Sequence, residues 1–150
     1  MTLERISPEE ALKLMQEKGY VYVDVRSVPE FEAGHPPGAY NVPLMHSGPG
    51  GMQPNPSFVD AMKATFPDNA KLILGCRSGG RSKRAADLLV AEGFTRIVDQ
   101  RAGFEGATDP FGKLAEPGWR PKQLPIATEA EPGRSWEEVA RALEGEPGEA

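Results

Sequence analysis

Leu72-Ile73-Leu74-Gly75-Cys76-Arg77-Ser78-Gly79-Gly80-Arg81-Ser82-Lys83-Arg84 joins an apolar run, a polar loop and the opening of a helical pattern without a spacer. The apolar run predicts a buried strand from Lys71 to Gly75. Ala85, Leu88 and Leu89 mark one face of a helix over Lys83 to Glu92, ended by Gly93. A strand that feeds a helix through a tight loop is the building unit of a parallel α/β sheet, and ligands of such sheets bind beyond the carboxyl ends of the strands. Cys76, the one cysteine of the chain, stands at such an end. Unpaired backbone N–H groups at a helix N-terminus form an anion site, and their field lowers the pKa of a thiol. Arg77, Arg81, Lys83 and Arg84 surround the same helix start. Cations there oppose the helix macrodipole by roughly 0.3–1 kcal/mol each. An unfavourable charge pattern at one place points to a function that handles anions: a thiolate, a persulfide, a sulfonate-like donor or a phosphate.

The flanking chain supports the same fold class. Ser7-Pro8-Glu9-Glu10 is a capping box that opens a helix with Ala11, Leu12 and Met15 inward, closed by Gly19. Tyr20 to Val25 is rich in β-formers and reads as a buried strand. Pro29 to Ala33 reads as a helical turn, Ala39 to Val42 as a second short strand, and the Gly/Pro-rich stretch 45–56 as loop. Asn55-Pro56 is expected to cap a helix that runs to Phe66 and stops at Pro67. Arg96 to Asp99 reads as a last strand, 105–125 as irregular chain, and Ser135-Trp136-Glu137-Glu138 as a second capping box opening a helix to about Leu143. The expectation is a central parallel sheet flanked by helices on both faces. The catalytic domain is expected over 1–128, with an acidic helical extension over 129–150 that packs on it and a frayed end from Gly145 to Ala150.

The net charge is −5, but it is not uniform. Residues 1–128 hold 15 acidic and 15 basic side chains; residues 129–150 hold 7 acidic and 2 basic ones. A neutral body with an acidic tail disfavours nucleic-acid binding. No apolar run approaches the ~18 residues of a membrane span, and no apolar signal core opens the chain, so a cytoplasmic location is expected. One Cys and two His disfavour a four-ligand zinc site, and one Cys forms no internal disulfide.

Three ordered motifs allow a family comparison. Asp24-Val25-Arg26 with Glu30-Phe31, then Gly34-His35-Pro36-Pro37-Gly38-Ala39-Tyr40-Asn41-Val42-Pro43, then Cys76-Arg77-Ser78-Gly79-Gly80-Arg81-Ser82 together resemble the rhodanese domain family of sulfurtransferases, over roughly Ile6 to Ile126. The likeness is greatest to the single-domain type of bacteria and plants. It implies that Cys76 takes a sulfane sulfur from thiosulfate or a persulfide donor, holds it as a persulfide, and passes it to a thiol or cyanide acceptor. Thioredoxin or another sulfur-carrier protein is a further acceptor it suggests. It calls for no cofactor and no metal, and implies a monomer or weak homodimer. Arg77, Ser78, Gly79, Gly80, Arg81 and Ser82 would bind the persulfide or the anionic leaving group. Asp24, Arg26 and His35 would support the loop from behind, with Arg26 and Glu30 spaced for a local ion pair. His35 belongs to a turn in the family pattern, where it reads mainly as structural.

Two rival readings are weaker. Phosphate-handling cysteine enzymes place an arginine six residues after the cysteine, where its fork closes around the larger anion. Here that position is Ser82, and the arginine comes one residue early, at Arg81. A binding module of the same fold would not need a complete cysteine loop. The chain departs from the family at Pro36, where an aliphatic residue is usual. It departs again at Ala102-Gly103-Phe104, where paired glycines and a tryptophan are usual. Trp119 with Leu124-Pro125-Ile126 looks like the displaced end of the domain after an insertion over 106–118, read chiefly as a surface loop, with the alternative that it borders the active site and shapes the choice of acceptor. Phe104, Phe111 and Trp119 are expected in the core.

Overall fold

The computed structural model describes residues 3–143; the expected frayed end lies outside them. Five parallel strands form the central sheet in the order β1-β7-β6-β2-β3: β1 (Glu4–Ile6), β2 (Val21–Asp24), β3 (Tyr40–Asn41), β6 (Leu72–Gly75) and β7 (Ile97–Gln100). Strand β1 is too short to show a period in the sequence, and it forms only by pairing along β7.

Alternation along the strands sorts side chains to two cores. Val23, Val25, Leu72 and Leu74 face helices α3 (Phe58–Thr65), α4 (Gly80–Ala91) and α5 (Trp136–Leu143). Tyr22, Ile73 and Val98 face helix α1 (Pro8–Glu17), Phe31 of α2 (Val28–Ala33), Phe104 and Trp119. The helices therefore cover both faces, as expected. The α1 capping box forms as read: Ser7 Oγ accepts from Glu10 N at 3.1 Å, and Glu10 Oε1 accepts from Ser7 N at 2.8 Å. At α5 only half of the expected box forms: Ser135 Oγ accepts from Glu138 N at 3.2 Å, while the Glu138 carboxylate takes the Gly133 N–H instead of the Ser135 N–H. Val139 of that helix is buried in the first core, beside Phe58 and Met62 of α3.

Several expectations fail locally. The stretch read as loop over 45–56 contains a hairpin, β4 (Met45–Gly48) with β5 (Gly51–Pro54), closed by Pro49-Gly50. Its strands are largely exposed and carry no alternation that a sequence pattern would reveal. Residues 105–125 likewise hold a hairpin, β8 (Gly106–Thr108) with β9 (Leu114–Pro117). Phe111 at its tip is 88% exposed rather than in the core, whereas Phe104 and Trp119 are buried. Asn55 is not the cap of α3; that place falls to Ser57. Asn55 is buried, donates Nδ2–H to Pro43 O at 2.8 Å, and accepts from Ser57 N at 3.0 Å. Helix α4 starts three residues before Lys83, at Gly80, because Gly79 turns the chain with φ of 99°.

Candidate active site

Strand β6 ends at Gly75, and the next residue, Cys76, is carried onto the loop beneath the first turn of α4. A side chain at Gly75 would overlap the Tyr22 hydroxyl, so only glycine lets β6 pass this close to β2. At Gly79 the positive φ and the near approach of Arg101 O again require glycine. Two glycines thus fix where the sulfur emerges.

Cys76 is 2% exposed. Its Sγ accepts the Gly79 N–H at 3.1 Å and lies 3.5 Å from Ser82 Oγ. The Ser82 hydroxyl also reaches Gly79 O at 3.4 Å. Gly79 is the residue that opens α4, and no acidic residue occupies the first turn of that helix. The loop is clamped from the opposite side: Phe104 N donates to Cys76 O at 2.7 Å, and Glu105 N to Arg77 O at 3.0 Å.

The two loop arginines divide their work. Arg81 is a fork on Glu30, with Nη1 and Nη2 at 2.8 and 3.0 Å from the two carboxylate oxygens. Burial alone would raise the Glu30 carboxyl, but hydrogen bonds from Arg81 and Ser27 outweigh it and hold it at about 2. Arg77 is exposed and forms no ion pair among the described residues; it lines a cavity beside the loop. The expected Arg26–Glu30 pair does not form. Arg26 instead turns back on Asp24, with Nε 2.9 Å and Nη2 2.6 Å from the carboxylate oxygens. Its Nη2 also donates to Gly34 O at 2.6 Å, and its guanidinium stacks 4.3 Å over Phe104. With β2 ending at Asp24, a reach of two residues satisfies a buried charge that Glu30, committed to Arg81 and Ser27, does not. His35 is buried, stacked at 3.6 Å on Phe31, with Nδ1 donating to Phe31 O at 2.7 Å. Its backbone pairs with Ala127, so it ties the segment before α5 to the turn after α2.

Three residues behind the loop escaped the sequence reading. Tyr22 lies under Gly75; burial pushes its phenol far up, and its hydroxyl is 3.3 Å from Gln100 Nε2. Gln100 is fully buried and bridges to the backbone of Ala102 and Gly103. Asp99 takes Arg5 Nε on Oδ2 at 2.6 Å, while its buried Oδ1 has no hydrogen-bond partner. Burial raises this carboxyl, opposed by the nearby Ser82 hydroxyl and Arg5 guanidinium. Arg5 also donates to Gly79 O at 3.2 Å, bracing the loop from the sheet edge. Polar residues at the ends of β2 and β7 were the available signal.

Beside the Cys76 loop, and joined to it by Arg77, lies a cavity of about 300 Å³ lined by Arg26, Glu30, Gly34, Arg77, Phe104 and Arg120, with Ala33 and Glu105 completing it. Trp119 is fully buried just after the β8–β9 hairpin, its ring 5.6 Å from Tyr22 and Nε1 donating to Pro125 O at 2.6 Å.

Comparison with known proteins agrees with this geometry. The profile of the rhodanese-like domain matches residues 7–109. The chain is 43% identical over 86 residues to thiosulfate sulfurtransferase 16, chloroplastic, of Arabidopsis thaliana, covering 57% of this chain and 72% of that one. It spans little more than half the length of some other plant relatives. It is 34% identical over 102 residues to thiosulfate sulfurtransferase GlpE of Pseudomonas putida, covering 68% and 82%. The crystal structure of Rv0390 from M. tuberculosis superposes with a TM-score of 0.70 at 29% identity, over 86% of this chain and all of that one. With the profile matched over more than half its length, the chain belongs to the rhodanese-like domain family.

Proposed function

We propose that the chain is a rhodanese-type sulfurtransferase that moves sulfane sulfur from thiosulfate or a persulfide donor to a thiophilic acceptor through a Cys76 persulfide. The observation that carries this reading is the seat of Cys76 Sγ, with the Gly79 N–H at 3.1 Å and the Ser82 hydroxyl at 3.5 Å. The Gly79 N–H donates to the sulfur, and the Ser82 hydroxyl, directed at Gly79 O, can turn to donate to a sulfur anion. The loop is held by hydrogen bonds from Phe104 and Glu105. The relatives named as thiosulfate sulfurtransferases support the same reading.

The reaction divides into two displacements. The Cys76 thiolate attacks the outer sulfur of thiosulfate; the S–S bond to the oxidised sulfur breaks, and sulfite leaves with the electron pair. The resulting Cys76–S–S⁻ extends along the axis of the α4 N-terminus, within reach of the N–H groups of residues 77–82. An acceptor thiolate or cyanide then attacks the terminal sulfur, and Cys76 leaves as the thiolate. Arg81, neutralised by Glu30, shapes the loop, and Arg77 supplies the mobile positive charge that draws anions to the loop. Asp24 acts through Arg26, whose guanidinium ties Gly34 to Phe104 at the cavity wall. His35 serves only to hold the turn.

Incubation with thiosulfate should add one sulfur atom to the protein mass, and Cys76→Ser should abolish the addition. A mass unchanged by thiosulfate, mercaptopyruvate and small persulfides alike would sink the proposal.

A further inference from the structure

The β8–β9 insertion does more than lengthen a loop. Its stem is closed by Trp119 N to Gly103 O at 2.9 Å and Arg120 N to Phe104 O at 2.9 Å. This brings the residues at its two ends, Glu105 and Arg120, to the cavity that Arg77 of the Cys76 loop also lines. There Arg120 grips Glu105 as an ion pair, Nε lying 3.0 and 3.1 Å from the two carboxylate oxygens.

The charges at the cavity can be balanced one by one. Arg26 is neutralised by Asp24, Glu30 by Arg81, and Glu105 by Arg120. Arg77 is the lining charge left over, so the cavity is net positive by one. Hydrogen bonding from Arg120, against the opposing effect of burial, holds the Glu105 carboxyl below its usual range, and Arg77 and Arg26 lower it further. Arg120 is more than half exposed, so its guanidinium has solvent-facing N–H donors beyond those given to Glu105. At about 300 Å³ the cavity sits at the lower end of the range that small organic ligands fill, and it is larger than inorganic thiosulfate requires. Phe104, Ala33 and Gly34 give it an apolar wall for a carbon skeleton. A guanidinium matches a carboxylate with two parallel hydrogen bonds.

We infer that this cavity is the acceptor subsite, that it selects small organic thiols carrying a carboxylate, and that Arg120 and Glu105 are its specificity-determining residues. The inference rests on the sulfurtransferase reading above and names the acceptor for it. The acceptor carboxylate lies between Arg77 and Arg120, and its thiolate attacks the outer sulfur of the Cys76 persulfide. The acceptor leaves as an organic persulfide, and Cys76 regains the electron pair of the broken S–S bond. Glu105 competes with the incoming carboxylate for Arg120, so the two residues act in opposite senses.

The test separates the half-reactions. Persulfide is loaded on the enzyme from thiosulfate, excess donor is removed, and discharge is timed with 3-mercaptopropionate and with 2-mercaptoethanol, which differ by the carboxylate. Each rate is corrected for the thiolate fraction. The ratio of the two second-order constants should be about 10 or more, the scale of one charge-assisted hydrogen bond pair. Arg120→Ala should lower that ratio about tenfold, and Glu105→Gln should raise it. A ratio near one, or a ratio moved in the same direction by both variants, overturns the inference, because a merely structural ion pair would suffer alike from either loss. If no persulfide loads, the sulfurtransferase reading fails by itself. The subsite is then read by titrating 3-mercaptopropionate into Cys76→Ser and following NMR shifts, with weaker binding required in the Arg120→Ala background. No saturable binding there overturns it independently.

Discussion

Glu30→Gln probes the charge pair that anchors the active loop to α2. The folded carboxyl sits at about 2 against an ordinary value of 4.5. At 1.36 kcal/mol per pH unit this difference corresponds to about 3 kcal/mol. The carboxylate is 25% exposed, and solvent screening reduces the figure to about 2 kcal/mol. Because the folded pKa is depressed, this contribution is fully present above pH 4.5 and is lost as pH falls toward 2. Gln keeps an oxygen for the Ser27 N–H but presents no anion to Arg81, whose side chain is only 17% exposed. Urea unfolding of both proteins at pH 7 should give a difference of about 2 kcal/mol. The difference should hold down to about pH 4.5 and shrink to about half near pH 3.3. Equal stabilities at pH 7, or a difference that stays constant from pH 6 to pH 3, would refute the assignment of this energy to the ionised pair.

Two further outcomes follow from packing. Gly75→Ala drives a methyl group into the Tyr22 ring and hydroxyl beneath the cysteine, and should destabilise the fold by about 1–3 kcal/mol; a melting temperature equal to that of the parent would contradict the close approach of β6 to β2. Val139→Ala removes a buried group of α5 from the core shared with α3, at a cost of about 2 kcal/mol and about 5 °C in melting temperature. No change in calorimetry would mean that α5 does not dock on the body in solution.

The parallel sheet was legible because its inner strands β2, β6 and β7 are short apolar runs set between capped helices. The edge strand β1 was not, since three residues carry no period and pairing with β7 alone defines them. Hairpins β4–β5 and β8–β9 were missed for a related reason. Their exposed faces need no apolar alternation, and turn-rich composition reads the same in a hairpin as in a loop. Cys76 and its loop were legible because glycine, serine and arginine crowd around a lone cysteine at a strand end.

What the residues of the loop could not express is which charges pair. Arg26 stands four residues from Glu30 and yet binds Asp24, while Glu30 binds Arg81 from 51 residues away. Local spacing proposes partners, but burial selects among them, because a charge inside the fold must take whichever counter-ion the packing brings within hydrogen-bond range. By itself the sequence determined the α/β class and the strand-loop-helix around the cysteine. Tertiary structure decided that Arg77 rather than Arg81 lines the cavity beside the loop, and that Glu105 and Arg120, at the two ends of the β8–β9 hairpin, meet there. It also put Tyr22, Asp99 and Gln100 behind the sulfur. Those placements depend on contacts between segments far apart in the chain, which no local pattern encodes.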